Sequence, residues 1–299
     1  MTSELRFDGR VAIVTGAGGG LGREYALLLA ARGAHVVVND LGASVSGDAP
    51  TVGAAVAVVR EIQAAGGTAI ANTDSVSTPQ SAQSIVQAAV NAYGTVDILI
   101  NNAGILRDQS FHNLTTENID AVLDVHLRGT FFVTRPAYRI MREKKYGRIV
   151  NTSSNSGLIG NFGQSNYGAA KMGIIGLTRV LAIEGQRNGI HVNAIAPAAR
   201  TRMTESVIDS ETAAALDPAY VAPAVAWLAH EDCQTTGEFI SAGAGRVARY
   251  FIGLTPGYFG RDLTAEEVRD HWDEVRSTEG FIIPSSPSEE MDFMMANWK

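Results

Sequence analysis

A serine, a tyrosine and a lysine lie within residues 148–171 of this 299-residue sequence. Tyr167 and Lys171 are four residues apart, so on a helix they share one face, about one turn apart. Ser154 stands at the end of an apolar run of strand length that precedes them. A phenol has an ordinary pKa of about 10, and a neighbouring ammonium lowers it by favouring the phenolate. The three residues therefore predict proton transfer on a hydroxyl group: Tyr167 moves the proton, Lys171 lowers its pKa and Ser154 holds the reacting oxygen.

A glycine-rich run near the N-terminus predicts a site for the phosphates of a dinucleotide. Residues 15–22 read TGAGGGLG and lie between an apolar run and an Ala/Leu-rich segment. Glycine permits a tight turn and lets backbone N–H groups approach a pyrophosphate, while the start of a helix adds partial positive charge. We therefore expect Gly16, Gly20, Leu21 and Gly22 to contact the cofactor. No Lys-Ser/Thr pair follows the glycines, which excludes an ATP-type loop.

Polar residues at the ends of later apolar runs are predicted to complete the cofactor site. Asp40 comes about 20 residues after the glycines, where a carboxylate accepts hydrogen bonds from the adenosine ribose and repels a 2′-phosphate. The sequence therefore predicts NAD and not NADP. Asp74 and Ser75 are candidates for the adenine, and Asn101 lies where strand ends face a ligand crevice. Tyr167 and Lys171 also count among the cofactor contacts, and we predict no metal site.

The elements that would position these residues follow from the hydrophobic pattern. Apolar runs of strand length alternate with segments of helical periodicity. The runs cover residues 11–14, 36–38, 96–100, 148–152 and 191–195, and the helical segments cover 21–31, 53–65 and 77–92. Parallel strands buried on both faces read as continuous apolar runs, and helices are the crossovers between them. We predict an α/β fold with a doubly wound parallel sheet, forming one domain over residues 1–247.

Composition changes after residue 247. The last 52 residues hold eight of the 21 aromatic side chains. Thr264 and Glu267 have the spacing of a capping box, and an apolar stripe of Val268, Trp272 and Val275 follows, so a helix is predicted to begin there. We predict that residues 248–299 form an extension that packs on its own domain or on a partner subunit. A part in shaping a substrate pocket is left open.

Charge and composition exclude several classes of partner. The net charge of −7 opposes the phosphate attraction on which nucleic-acid binding depends. No apolar stretch reaches the roughly 20 residues of a membrane span, and the polar N-terminus is not a signal peptide. Cys233 is the single cysteine, so an intrachain disulfide and an oxidising compartment are not indicated. With no Ser-Lys-Leu sequence at residue 299, these observations predict a cytoplasmic protein.

The motifs taken together resemble the short-chain dehydrogenase/reductase family. They are TGxxxGxG at residues 15–22, Asn-Asn-Ala-Gly at 101–104, Ser154, and Tyr167 followed by Lys171. The resemblance covers residues 7 to about 245 and implies a Rossmann-type domain with a seven-stranded parallel sheet, whose last strand would be 238–241. It also implies a homo-oligomer, either a dimer or a tetramer, and a small-molecule substrate.

Longer blocks resemble one branch of the family, the (3R)-hydroxyacyl-CoA dehydrogenase units of peroxisomal multifunctional enzymes type 2. Two such blocks are RFDGRVAIVTGAGGGLGREYAL and YGRIVNTSSNSGLIGNFGQSNYGAAK. The resemblance implies NAD-dependent oxidation of a 3-hydroxyacyl-CoA in the β-oxidation of fatty acids or sterol side chains. His126 stands where many family members have a catalytic asparagine, and the narrower group also has histidine there. Its role is left open between a proton relay and a core histidine.

Two other functions are left open by the sequence. One is NAD-dependent oxidation of a hydroxysteroid or another lipid alcohol. The CoA phosphates separate a thioester from such an alcohol, and their candidate partners are Arg200, Arg202, Arg246 and Arg249. The other is a non-catalytic NAD-binding scaffold or sensor, against which the complete set of Ser154, Tyr167 and Lys171 argues, because a sensor needs only the nucleotide site.

Overall fold

The computed structural model describes residues 4–42, 46–47, 53–199, 214–296 and 298. Its strands are β1 (Val11–Thr15), β2 (His35–Asn39), β3 (Thr68–Asn72), β4 (Ile98–Asn101), β5 (Gly147–Thr152), β6 (Ile190–Pro197), β7 (Phe239–Gly243) and β8 (Arg246–Tyr250). Its α-helices are α1 (Gly20–Ala31), α2 (Ala54–Ala64), α3 (Pro79–Tyr93), α4 (Thr116–Leu123), α5 (Gly129–Lys144), α6 (Asn155–Leu158), α7 (Ser165–Gly185), α8 (Ala222–Ala229), α9 (Ala265–Asp270), α10 (Trp272–Val275) and α11 (Pro287–Met295).

The strands form one sheet in the order β3-β2-β1-β4-β5-β6-β7-β8. Pairing from β3 to β7 is parallel throughout. The order in which strands are added reverses at β1: β2 and β3 lie on one side of it, and β4 begins the other side. Ala12 of β1 accordingly pairs with Val36 of β2 and with Ile98 of β4. In open α/β sheets, ligands bind outside the carboxyl ends of the strands at this reversal. The loops that follow β1, β4 and β5 therefore meet at one crevice.

The doubly wound parallel sheet is confirmed, and it carries one strand more than the seven expected. The additional strand β8 is joined to β7 by Ala244 and Gly245, whose φ angles are +49° and +73°. Positive φ at both central residues is what a tight hairpin turn of type I′ requires. A connection this short joins only antiparallel neighbours. Because β8 does not belong to the strand–helix alternation, the pattern that predicts the other strands does not reveal it.

The sheet is buried on both faces because alternate residues of each strand enter separate cores. In β1, Ala12 and Val14 pack in one core while Val11 and Ile13 pack in the other. Helices α1, α2 and α8 contribute to the first core, and α3, α5 and α7 contribute to the second. Strands buried in this way read as unbroken apolar runs, which explains why the sequence predicts them.

The chain divides into two compact units, Met1–Arg249 and Tyr250–Lys299. In the second unit, the predicted capping box is present: Thr264 and Glu267 bond each other's backbone at the start of α9. The predicted apolar stripe of Val268, Trp272 and Val275 is divided between two helices, because the helix is interrupted at His271 (φ −108°, ψ 19°) between α9 and α10. The His271 ring stacks on Tyr258 with centroids 3.8 Å apart. None of the described residues 251–298 is fully buried.

Candidate active site

The glycine-rich run forms a tight loop between β1 and α1. Gly16 has φ +63°, and a Cβ added to it would lie 2.7 Å from the Cα of Ala103. A Cβ on Gly22 would lie 2.3 Å from the carbonyl oxygen of Gly16. The residue before α1, Gly19, gives the helix no side-chain cap, so the first N–H groups of the helix are left for another acceptor. A closely approachable backbone with uncapped N–H groups fits the pyrophosphate of a dinucleotide.

The loop after β4 braces the glycine loop through Asn102. Its Nδ2 donates to the carbonyl oxygens of Thr15 and Gly16 at 3.1 and 3.0 Å. The neighbouring Asn101, which the sequence predicts as a cofactor contact, has its side chain elsewhere. It is 6% exposed, and its Nδ2 donates to Thr134 Oγ1 at 2.9 Å and to Asn151 Oδ1 at 2.8 Å. The Asn101 side chain thus joins β4 to α5 and β5 within the fold.

Asp40 lies beside the glycine loop, as the cofactor prediction requires. Its two carboxylate oxygens accept N–H bonds from Gly18 and Gly42, each at 2.7 Å. A Cβ on Gly18 would lie 2.8 Å from the Asp40 carboxylate. The acid therefore sits at the end of β2 against the backbone that would hold the pyrophosphate, and its negative charge faces the same region.

Asp74 and Ser75 lie in a polar turn that follows β3. The Asp74 carboxylate accepts from Asn72 Nδ2 at 2.7 Å, and its carbonyl oxygen accepts from Asn39 Nδ2 at 2.9 Å. The Ser75 and Ser77 hydroxyls are 2.8 Å apart. The bond from Asn39, the residue that precedes Asp40, ties the turn to the end of β2.

Ser154 and Tyr167 are brought together by the turn from β5 through α6 into α7. Ser154 caps α6: its Oγ accepts from the Ser156 N–H at 3.1 Å and donates to Asn155 Oδ1 at 3.2 Å. Helix α6 packs on the first turns of α7, where a Cβ added to Gly168 would lie 3.0 Å from the carbonyl oxygen of Ser156. Burial raises the pKa of Tyr167, and the neighbouring Ser154 hydroxyl partly offsets that rise. A substrate oxygen placed between the two hydroxyls can bond to both.

Lys171 lies one turn after Tyr167 on the same face of α7. Its side chain is 3% exposed, and its Nζ lies 5.4 Å from the centroid of the Tyr167 ring. The Nζ donates to the carbonyl oxygen of Thr152 at 2.6 Å. The spacing of the two residues on a helix thus places lysine and tyrosine as expected.

The electrostatics of the pair differ from the sequence expectation. Burial is the largest influence on Tyr167 and raises its pKa, against the smaller effect of Ser154. Burial also lowers the pKa of Lys171 to about 7. The reason is desolvation, which opposes the charged form of either group. In the protein alone, Lys171 therefore does not give Tyr167 a low pKa.

His126 lies in a π-helical turn, Asp124–Arg128, between α4 and α5. The ring is 3% exposed, and its Nε2 is 2.7 Å from the oxygen and 3.0 Å from the nitrogen of Ile105. It meets the Tyr167 ring edge-on with centroids 5.1 Å apart, while its Nδ1 has no partner. Burial, followed by the charge of Lys171, lowers the pKa of His126 to about 3. The imidazole is therefore neutral and supports both the loop after β4 and the tyrosine.

A set of contacts absent from the sequence prediction joins residues 107–109 to residues 163–166, at the start of α7. We call it the clamp. Its bonds are Asn166 Nδ2 to Arg107 O at 3.1 Å, Gln164 Nε2 to Asp108 Oδ2 at 2.6 Å, and Gln109 N to Gly163 O at 2.9 Å. Asn166 also accepts the Tyr167 N–H through its Oδ1 at 2.8 Å. The clamp thus connects the loop after β4 to the residue that carries the phenol.

The arginines considered for CoA phosphates are only partly described. Arg200 and Arg202 lie outside the described residues. The Arg249 guanidinium pairs with the carboxylate of Glu238, and Arg246 is exposed at the start of β8. No group of three or more His, Cys, Asp or Glu side chains suited to a metal ion occurs among the described residues. None of the described helices is long and apolar enough to cross a membrane.

Comparison with known proteins decides the family. The family model described as short chain dehydrogenase matches residues 10–212. The chain belongs to this family. It is therefore an oxidoreductase that acts on a secondary alcohol, and the family generally binds NAD or NADP, so the interpretation as a non-catalytic sensor is set aside.

Three similar proteins show how far the likeness extends. Peroxisomal multifunctional enzyme type 2 of Mus musculus is 50% identical over 92% of this chain and 38% of its own length. Hydroxyacyl-CoA dehydrogenase ChsB1 of Mycobacterium tuberculosis is 44% identical over 69% of this chain and 66% of its own length. The structure of full-length peroxisomal multifunctional enzyme type 2 from Drosophila melanogaster superposes with a TM-score of 0.83 at 40% identity, over 97% of this chain and 49% of that one. The chain thus spans well under half of the mouse relative.

The expected cytoplasmic location is wrong on this comparison. Several similar proteins are named as peroxisomal enzymes, which points to peroxisomes and away from the cytoplasm. The expectation depended on a single cysteine, on the polar N-terminus and on the lack of a Ser-Lys-Leu sequence. The first two features separate reducing compartments from oxidising ones, but they do not distinguish two reducing compartments. The third is one peroxisomal signal, and its absence does not by itself exclude peroxisomes.

Proposed function

We propose that this chain interconverts a (3R)-3-hydroxyacyl-CoA and the corresponding 3-ketoacyl-CoA with NAD, in the β-oxidation of fatty acids or sterol side chains. The observation that carries the proposal is that α6, which Ser154 caps at the end of β5, packs on the turn of α7 that carries Tyr167 and Lys171. The substrate class is supported by the likeness to a protein named as a hydroxyacyl-CoA dehydrogenase. NAD is supported by the carboxylate of Asp40 at the end of β2.

Each residue of the trio has a distinct task in this mechanism. Ser154 donates a hydrogen bond to the substrate oxygen in place of the one it gives to Asn155, which orients the oxygen toward Tyr167. Tyr167 takes the hydroxyl proton during oxidation and returns it during reduction. Lys171 stays anchored on Thr152 O beneath the tyrosine. When bound, the nicotinamide cofactor supplies the acceptor for the hydride.

Burial of Tyr167 predicts that the rates of oxidation and reduction change in opposite directions with pH. Because burial raises the pKa of Tyr167, the phenol form predominates near neutral pH. The phenol donates a proton, which reduction of a ketone requires, whereas oxidation of an alcohol needs the phenolate. Oxidation is therefore expected to quicken with rising pH, and reduction is expected to slow.

The substrate is tested by following NADH formation with (3R)- and (3S)-3-hydroxyacyl-CoAs, free hydroxysteroids and other lipid alcohols. We expect turnover of the (3R)-thioester and loss of turnover in Tyr167→Phe. This variant removes only the hydroxyl and keeps the ring and the other cofactor contacts, so NAD should still bind. Preference for a hydroxysteroid would favour the other enzymatic interpretation. Absence of turnover with both thioester stereoisomers would exclude the proposed substrate, and activity retained by Tyr167→Phe would exclude the proposed base.

We also propose that the chain is a homo-oligomer. Support comes from helices α5 and α7, which leave large apolar side chains in solvent on the outside of the sheet. Phe131, Val180 and Ile183 are 48%, 52% and 57% exposed. Exposed apolar patches on a protein surface commonly mark interaction sites. Light scattering of the purified chain measures the number of subunits.

A further inference from the structure

Of the three most exposed large apolar side chains among the described residues, two lie between Ser154 and Tyr167 in the sequence, and the third follows residues 107–109 of the clamp. Phe162, Phe111 and Ile159 are 90%, 79% and 73% exposed. Ile159 directly follows the short helix α6 that Ser154 caps, and Phe162 precedes Tyr167 by five residues. Leaving such side chains in water forgoes the free energy gained on burying them. Exposed apolar side chains on the segments that carry a reaction centre indicate a binding surface.

The clamp holds the segments that carry these side chains next to each other. Phe162 directly precedes Gly163, whose carbonyl oxygen accepts the N–H of Gln109 at 2.9 Å. Phe111 follows Gln109 by two residues and begins a short 3₁₀ helix. The two phenylalanines therefore belong to pieces of backbone that hydrogen bonds hold together.

The lack of charge on this surface indicates which part of an acyl-CoA it can bind, the phosphates of CoA or the hydrocarbon chain. Residues 153–166 contain no charged side chain, so this segment offers nothing to the phosphates of CoA. A hydrocarbon chain gains free energy by leaving water for an apolar surface. In a 3-hydroxyacyl thioester, carbon 3 must lie between Ser154 and Tyr167, and the chain beyond it must leave the reaction centre by a surface close to them.

We infer that Phe111, Ile159 and Phe162 form an acyl rim, a surface that receives the hydrocarbon chain of the substrate beyond carbon 3. The inference rests on the proposed function, because it assumes a fatty-acyl thioester. It makes the three residues determinants of chain-length preference and separates them from the trio that moves the proton. The rim then discriminates long chains from short ones, since a four-carbon chain ends before it reaches the rim.

The experiment compares chain-length preference in matched variants of the full chain. Phe162→Ser and the double variant Phe111→Ser/Phe162→Ser each remove apolar surface from the rim. Val247→Ser, which changes a 60% exposed apolar side chain on the edge strand β8, is the control. For each protein, kcat/KM is measured with hydroxybutanoyl-CoA and with hydroxyhexadecanoyl-CoA. We expect the long-chain value to fall about tenfold for each ring removed, while the short-chain value and both values of the control stay within about twofold.

Other outcomes would overturn the acyl rim. An equal loss with both chain lengths would make the rings structural. A change in subunit number in Phe162→Ser would identify the surface as a contact with a second copy. Binding of the wild type to phosphatidylcholine vesicles that Phe162→Ser abolishes, with chain-length preference unchanged, would identify a lipid surface as the occupant.

A binding measurement separates failure of the rim from failure of the proposed function. Hexadecanoyl-CoA lacks the hydroxyl, so titration calorimetry measures its affinity without turnover. If the wild type oxidises no hydroxyacyl-CoA, the proposed function fails whatever the rim does. If it oxidises them but binds hexadecanoyl-CoA no more tightly than Phe162→Ser does, the rim alone is wrong.

Discussion

The amino group of Lys171 is held where water does not reach it. The side chain is 3% exposed, and its one hydrogen bond among the described contacts goes to the carbonyl oxygen of Thr152. Burial without a carboxylate partner disfavours the ammonium and lowers the pKa of Lys171 to about 7. Near neutral pH the amino group beside the Tyr167 ring is therefore present in both its charged and its neutral form.

The depressed pKa of Lys171 predicts a pH dependence of stability. Between the folded value of about 7 and the ordinary value of 10.5, the unfolded chain binds a proton that the folded chain has released. The contribution of Lys171 to the free energy of unfolding therefore rises with pH across this window. Lys171→Met should remove that rise, which urea unfolding without cofactor measures as the difference between wild type and variant at about pH 7 and about pH 10. Lys145→Met, at an exposed lysine, is the control. If the difference in the free energy of unfolding between wild type and Lys171→Met did not change with pH, the prediction would be wrong.

A second prediction at this scale concerns the charge of Asp40. Asp40→Asn removes the negative charge and keeps one acceptor oxygen for the Gly18 N–H, while the bond from the Gly42 N–H is lost. Loss of the repulsion of a 2′-phosphate should raise kcat/KM with NADP relative to NAD by about tenfold or more, the effect of about 1.4 kcal/mol in a charged contact. Initial rates with the two cofactors measure this ratio. Asp120→Asn, which removes a charge from an exposed site on α4, should leave it unchanged, and equal ratios in both variants would show that Asp40 does not select the cofactor.

Periodicity and strand-end position made most of the site predictable. The glycine loop, Asp40, Tyr167 and Lys171 lie where their spacing in the sequence indicated. The side chain of Asn101, by contrast, bonds within the fold. Successive side chains of a strand alternate between faces, and the sequence alone does not say which of two adjacent asparagines points toward the crevice. Nor does spacing reveal desolvation, which reverses the expected shift in the pKa of Tyr167.

At the scale of elements, the clamp is the feature that sequence patterns leave hidden. It joins residues 107–109 to 163–166, which are far apart in the chain and belong to loops without periodicity. Asn166 is central to it: it is 4% exposed, and its Nδ2 also donates to Asn118 O at 3.2 Å. Every polar atom of this side chain is therefore committed, and the first turn of α7 is fixed against α4 and the loop after β4.

Asn166→Asp is expected to displace Tyr167 without affecting the nucleotide site. The aspartate keeps an acceptor for the Tyr167 N–H but loses both donated bonds and places a negative charge near two carbonyl oxygens. Because catalysis is sensitive to displacements of about 1 Å, kcat should fall by about 10- to 100-fold, while the Kd for NAD stays within about twofold. Steady-state rates and NAD titrations measure the two quantities.

Asn193→Asp is the matched control for this variant. Asn193 is also buried, at 0% exposure, and within the described part of the chain its side chain bonds to backbone groups: its Nδ2 donates to Thr235 O at 2.8 Å and its Oδ1 accepts from the Glu238 N–H at 3.1 Å. Both variants should unfold at lower urea concentrations than the wild type. If their kcat values are equal under conditions where both are folded, Asn166 serves stability alone and does not position the tyrosine.

At the scale of the whole molecule, apolar surface is distributed unevenly between the two units. The unit Met1–Arg249 has a core on each face of its sheet, whereas none of the described residues 251–298 is fully buried. A segment of this size rarely supplies enough buried surface to stabilise itself. We therefore propose that the second unit is covered in the assembled protein, by its own domain or by a partner subunit.

The tryptophans of the second unit can report which surface covers it. Trp272 and Trp298 are 50% and 53% exposed, and Trp227→Phe leaves these two as the only fluorophores of their kind. If a partner subunit covers them, quenching by acrylamide should weaken as rising protein concentration drives assembly, followed in the same samples by light scattering. A variant that retains only Trp227, on α8, should show no such change. Quenching that stays strong through assembly would exclude cover by a partner, and quenching that is weak even in the monomer would assign the cover to the chain's own domain.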